Sequence, residues 1–144
     1  MQDVGNSWYS PNYTTLLGQI MDQYINQTQT LYNSGARRFL FLTVPPIQYT
    51  PSVQAGGASN VEAEGGAVKQ YNDALKSRVA AFAAANPQAK TYLVDTTAPF
   101  LKAINDPKAY GAADATCFDS SGTKCLWWND VSLMLLIWPY LLFK

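Results

Sequence analysis

From Leu16 onward, apolar residues recur three and four positions apart: Leu16, Leu17, Ile20, Met21, Tyr24, Ile25, Leu31 and Tyr32. That spacing sets them on one face of a helix of roughly five turns. Ser10-Pro11 marks its start, a hydroxyl cap followed by proline at the first helical position. Gly35 marks its stop, because glycine takes the left-handed conformation without steric cost. Residues 38–44, RFLFLTV, are apolar without alternation and halt at Pro45-Pro46. They predict a short strand covered on both faces, as in a parallel sheet. Residues 47–66, polar and glycine-rich, read as a long loop of the functional or mobile kind. Helical spacing returns at Val68, Tyr71, Leu75, Val79 and Phe82 and ends near Asn86-Pro87. Residues 90–95, KTYLVD, are the next strand. A shorter helix from Pro99 to Ile104 yields to NDPKAYG.

The order helix, strand, helix, strand, helix predicts an α/β layered domain with right-handed crossovers. Two parallel strands alone make a poor sheet, so the pattern leaves the sheet short of strands.

Composition sharpens this. With 144 residues, 48% of them apolar, the chain is long enough for one domain with a real core. Ten basic residues balance ten acidic ones and neither sign forms a run, which argues against nucleic-acid binding. There is no histidine. Within this chain that excludes Ser-His and Cys-His nucleophiles and any histidine-ligated metal. Two cysteines are too few for a cysteine-rich zinc site, so neither a metal nor another cofactor is expected. Nine tyrosines and four tryptophans suit either a carbohydrate-facing protein or a well-filled core. The opening MQDVGNSWYS lacks the basic start and apolar centre of a signal peptide. The expectation is a cytosolic protein or a sequence that starts inside a longer one.

Cys117 and Cys125 bracket a polar turn able to bring them within bridging distance. Two buried free thiols are the other reading, but the polar surroundings favour a disulfide and an oxidising compartment. Asn12-Tyr-Thr14 and Asn26-Gln-Thr28 are N-glycosylation sequons that lean the same way. Ser7, in GNSWYS, reads as a turn or capping residue rather than a nucleophile.

Several segments, taken in order, resemble one family. LYNSGARRFLFLTVPPIQYTP is similar to the fourth-strand region of the fungal SGNH (GDSL-type) esterases, particularly the acetylesterases of carbohydrate esterase family 16. NDPKAYG resembles their Asn-Pro-x-x-Tyr-Gly-Phe turn. CFDSSGTKCLWWND resembles the cysteine-bracketed loop that leads into their Asp-x-x-His block, and QDVGNSW the tail of their Gly-x-Asn-Asp block. The resemblance implies a partial flavodoxin-like, three-layer α/β/α domain of parallel strands lacking its first strands. Residues 1–130 would be its C-terminal part, and residues 131–144 an apolar tail outside the pattern.

The family's chemistry is acyl transfer through a serine activated by a histidine, with an aspartate orienting the histidine and preplaced donors for the oxyanion. By resemblance Asp130 is the orienting acid, and Leu133 stands where the histidine belongs. The serine block would lie before Met1. Gln2 falls on the oxyanion-binding asparagine, and Asp3 on the aspartate beside it. Trp127 and Trp128 could stack against a sugar ring, core packing being the other reading.

The functional expectation is therefore a fragment or degenerate copy of an extracellular carbohydrate acetylesterase. Its parent would act on acetylated carbohydrate or small esters, and the chain as written should be inactive. The alternative is a non-catalytic carbohydrate-binding or scaffold domain. Without its first strands, FLFLTV would leave an open sheet edge and a bare apolar face, which favours self-association. Residues 131–143 fall short of the ~17–25 residues of a spanning helix and contain Pro139, which argues against a membrane anchor.

Overall fold

The computed structural model describes residues 2–121 and 124–132. In chain order they form α1 (Gln2–Gly5), α2 (Tyr13–Asn33), β1 (Arg38–Leu42), a 3-10 turn (Ile47–Tyr49), α3 (Pro51–Ala55) and α4 (Ala58–Ala85). β2 (Lys90–Val94), α5 (Thr97–Asn105), a second 3-10 turn (Pro107–Tyr110), β3 (Asp114–Phe118) and β4 (Cys125–Trp127) follow. The chain is mixed α/β, with parallel strands in two small sheets, β1 with β2 and β3 with β4. Leu133 and the rest of the apolar tail lie outside the described residues.

Two compact units divide these elements. The first draws on residues up to Val44 and on Gly66–Asp95. Helix α2 begins at Tyr13, a little after the proline-marked start, and ends at Asn33, two residues before Gly35, whose φ of +105° is the left-handed stop that the sequence announces. It buries Leu17 and Met21, and its Tyr13 hydroxyl donates to the Ala67 carbonyl of α4 at 2.9 Å. Burial raises the Tyr13 and Tyr24 hydroxyls above the usual tyrosine range. Gln29 of α2 and Asn86, just past α4, exchange amide hydrogen bonds of 3.1 and 3.0 Å, so both polar groups are satisfied at their contact. β1 and β2 pair parallel, Arg38 opposite Lys90 through Leu42 opposite Val94.

The side chains of β1 alternate, contrary to the expectation of a strand covered on both faces. Phe39 and Phe41 are buried, with Phe82 of α4 set edge-on to Phe39 and Tyr24 of α2 edge-on to Phe41. Leu40 and Leu42 point the other way and are 65% and 55% exposed, alongside exposed Tyr92 and Val94 at the matching register positions of β2. The reason is the period of two along a strand. Helices of this unit supply aromatic partners to one face only, so every second apolar residue is left bare.

Where β1 ends, Asn72 of α4 takes over the backbone. Its side-chain oxygen accepts from Val44 N–H at 2.7 Å and its amide nitrogen donates to Val44 C=O at 2.9 Å. The chain leaving the strand towards Pro45-Pro46 is thereby held without a third strand to pair with.

The second unit draws on Pro45–Gly65 and residues from Thr96 onward. Its first stretch is helical, where a loop was expected: Pro51 stands at the first position of α3, a place that suits proline's fixed φ and missing N–H. Gly57, at φ +86°, turns the chain into α4, which therefore starts ten residues before its apolar pattern becomes visible at Val68. Further on, Asp106 caps the second 3-10 turn by accepting from Ala109 N–H, and Gly111 closes it at φ +82°. Ala103, Ala112, Leu126 and Trp127 form the apolar cluster of this unit.

Candidate active-site loop

The residues bearing the strongest functional expectation, Trp127 to Asp130, follow directly on β4. Two covalent and hydrogen-bonded braces fix where β4 lies. Cys117 of β3 and Cys125 of β4 are joined in a disulfide, with Cα atoms 5.4 Å apart. The strands pair parallel with an irregular register, flanked by bonds from Ala113 N–H to Lys124 C=O and from Asp119 N–H to Trp127 C=O. The connection between these strands is far shorter than an ordinary parallel crossover, and the disulfide ties it shut.

Beyond β4 the chain folds into a tight polar turn. Asn129 Oδ1 accepts from the backbone N–H groups of Val131 and Ser132, at 2.9 and 2.6 Å. Trp128 N–H donates to Ser132 C=O at 2.8 Å, and Asp130 C=O accepts from Ser52 N–H at the start of α3 at 3.0 Å. An asparagine side chain bonding to backbone two and three residues on is the ordinary way this residue type makes a turn. The consequence is that Asp130, whose side chain is exposed, sits on a loop whose backbone is fixed at four points.

The two tryptophans separate. Trp127 is 2% exposed, and its indole N–H donates to Ala115 C=O at 2.6 Å, so its ring belongs to the core and offers no stacking face. Core packing was one of the two readings of Trp127, and all three residues of β4, from Cys125 to Trp127, are buried. Trp128 is 48% exposed and keeps its ring in solvent.

Gln2 and Asp3 begin α1, in the first unit, and their side chains lie outside what the structure describes. Leu133 is likewise outside it. Ser7 is buried in the turn after α1 and donates its N–H to Val4 C=O. Of the sequon asparagines, Asn12 precedes α2 and Asn26 lies within it, both exposed. Thr28 of the second sequon is buried, with its hydroxyl on Tyr24 C=O. Among the described residues no group of three or more cysteine, aspartate or glutamate side chains is placed to hold a metal ion. No helix among them is long and apolar enough to cross a membrane.

Two acidic groups of the second unit are shifted. Hydrogen bonds from the Thr116 backbone and hydroxyl hold exposed Asp114 below the usual carboxylate range. Glu64, at the inner end of the first turns of α4, is pushed up to about 7 by burial. Sequence reading passed over Glu64, Asn72 and Asn129. Only Asn129 carried a signal, as an Asn-Asp pair after an apolar run, the usual mark of a side-chain-closed turn.

Comparison with known proteins gives these residues a context. No family model matches the chain. Over 131 residues, 90% of its length, it is 49% identical to an acetylesterase of Thermothelomyces thermophilus, and the match takes in 43% of that protein. A GDSL esterase/lipase of Arabidopsis thaliana is 26% identical over 136 residues, with 36% of its own length matched. The chain thus spans less than half the length of either relative. With parallel strands, a disulfide-tied loop carrying Asp130 and this degree of identity, the chain belongs to the SGNH/GDSL esterases as an acetylesterase-like segment.

Proposed function

We propose that these residues form part of a secreted carbohydrate acetylesterase of carbohydrate esterase family 16. In it Asp130 is the acid that orients a histidine base during acyl transfer through serine. The observation that carries this reading is the Asp130 loop. A triad aspartate must hold its partner's imidazole at a fixed angle and tautomer, and the disulfide with the Asn129 and Ser52 bonds gives Asp130 a rigid mount. Identity to a protein named as an acetylesterase supports acetyl esters as the substrate class. The exposure of Trp128, two residues before Asp130, supports a role for it in stacking on a sugar ring. The disulfide and the exposed sequon asparagines Asn12 and Asn26 support an extracellular, glycosylated protein.

As a chain of these 144 residues alone, the protein has an acid but no histidine for it to orient. Triad members act as a unit, so an isolated acid leaves no designed catalysis. Gln2 and Asp3 complete the reading as remnants of the oxyanion-binding block, and Leu133 as the residue at the base's position. The bare face of β1 and β2 is the surface through which the chain associates with a second copy of itself. The purified chain is expected to hydrolyse neither nitrophenyl acetate nor an acetylated xylo-oligosaccharide above the buffer rate. Clear turnover, abolished by Asp130→Asn, would retain the esterase reading and overturn the inactivity. Turnover indifferent to Asp130 would overturn the role given to that residue.

A further inference from the structure

The stretch from Ile47 to Gly65 is joined to the Asp130 loop by a hydrogen bond from Ser52 N–H to Asp130 C=O. Two buried oxygens in that stretch lack a donor among the described residues. One is Oε2 of Glu64, a residue 2% exposed, and the other is Oε1 of Gln48 in the 3-10 turn. They belong to segments that meet. The Gln48 side chain lies beside Gly65, the neighbour of Glu64: a Cβ on Gly65 would be in ordinary van der Waals contact with it, 3.5 Å from Cγ and 3.6 Å from Nε2. Two buried acceptors with no donor are costly, and a buried carboxylate with no counter-charge costlier still. A proton on Glu64 removes the buried charge and turns the carboxyl into a donor, and the Gln48 oxygen is an acceptor without a partner in an adjoining segment.

We propose that Glu64 is a positioning residue, whose protonated carboxyl donates to Gln48 and so fixes the 3-10 turn and α3, whose Ser52 amide in turn holds the Asp130 loop. α3 carries no ionisable side chain, the 3-10 turn only Tyr49, the start of α4 only exposed Glu62 besides Glu64 itself, and Asp130 and Asp114 are exposed on the adjoining loop and on β3. Burial alone, with no neighbouring charge, raises Glu64 to about 7. The positioning is therefore intact in mildly acidic solution and lost as Glu64 ionises. The importance of the Asp130 loop rests on the esterase reading; the coupling of Glu64 to that loop does not.

The test follows the intact chain by nuclear magnetic resonance as pH is raised from acid through neutral. The probes are the Glu64 carboxyl carbon, the backbone amide of Ser52 and the indole N–H of Trp128. Glu64 is expected to titrate near 7, with Ser52 and Trp128 shifting at the same midpoint. In Glu64→Gln, which keeps a neutral donor, both reporters should stay at their acid-side positions throughout. In Gln48→Met, Glu64 should still titrate above the ordinary carboxylate range while Ser52 no longer follows it. The sign for stability is fixed too. The folded state holds this proton more tightly than the unfolded one, so the contribution is full below the ordinary glutamate range and lost as pH rises through about 7. The melting temperature should fall over that interval in the native chain, and Glu64→Gln should remove this fall. A Glu64 that titrates as an ordinary carboxylate overturns the proposal, as it would if Gln48 turned its NH2 group towards an ionised Glu64. So does a Ser52 amide blind to Glu64 in the native chain, or a transition that persists in Glu64→Gln. None of these readouts involves turnover, so an inactive chain leaves the result intact.

Discussion

At the scale of single residues, the side chains that matter most here are amides bonded to backbone. Asn72 gives Val44 both a donor and an acceptor, replacing the ladder bonds that a neighbouring strand would supply. Replacing it by alanine leaves a buried N–H without its acceptor, a loss of about 1–3 kcal/mol. Urea unfolding of Asn72→Ala should show that loss as a lower midpoint with an unchanged slope; an unchanged midpoint would mean that water replaces the clamp. Asn129 does the same service for Val131 and Ser132. Neither role shows in periodicity, because an asparagine inside a helix and one inside a loop look alike until the backbone they serve is in place. Asp130 was singled out only by resemblance to a motif, since nothing in hydrophobic spacing marks it.

At the scale of elements, legibility followed periodicity closely. α2 and the inner part of α4 carry apolar residues at helical spacing, and Gly35 and Asn86-Pro87 mark their ends. The stretch from Ile47 to Gly66 does not, having four glycines and few large apolar residues, so it read as loop although most of it is helical. Proline at the start of α3 and the left-handed Gly57 shape it, and both are local signals weaker than a stripe. β3 and β4 escaped for another reason: short strands with Asp114 and Thr116 exposed carry too few alternations to register. β1 was recognised as a strand but misjudged in cover, because a continuous apolar run cannot say how many faces find a partner. Leu40→Lys tests what the bare face does. Sedimentation should show a monomer for the variant where the native chain associates, with stability changed by no more than about 0.5 kcal/mol, as for an exposed position. Equal association in both would place the contact elsewhere.

At the scale of the whole molecule, the chain matches less than half of the acetylesterase it is 49% identical to, yet its described residues build two compact units with buried apolar groups in each. Their stability also depends on restraints that act through the unfolded chain. The Cys117–Cys125 bridge closes a small loop, and in the chain-entropy model its loss costs about 2.5 kcal/mol. Thermal melting with and without reductant, and of a Cys117→Ser, Cys125→Ser double variant, should show matching losses; a reductant effect that persists in the double variant would point to damage unrelated to the bridge. The glycines at positions 65 and 66, inside the long helix α4, have a different consequence. Each costs about 1 kcal/mol of helical propensity relative to alanine. Side by side they divide cooperativity along the helix, so that the turns from Ala58 to Glu64 can fray and reform while the turns that bury Tyr71, Leu75 and Val79 stay wound. One helix by geometry is two by energetics, and the buried carboxyl of Glu64 sits on the looser side of the division.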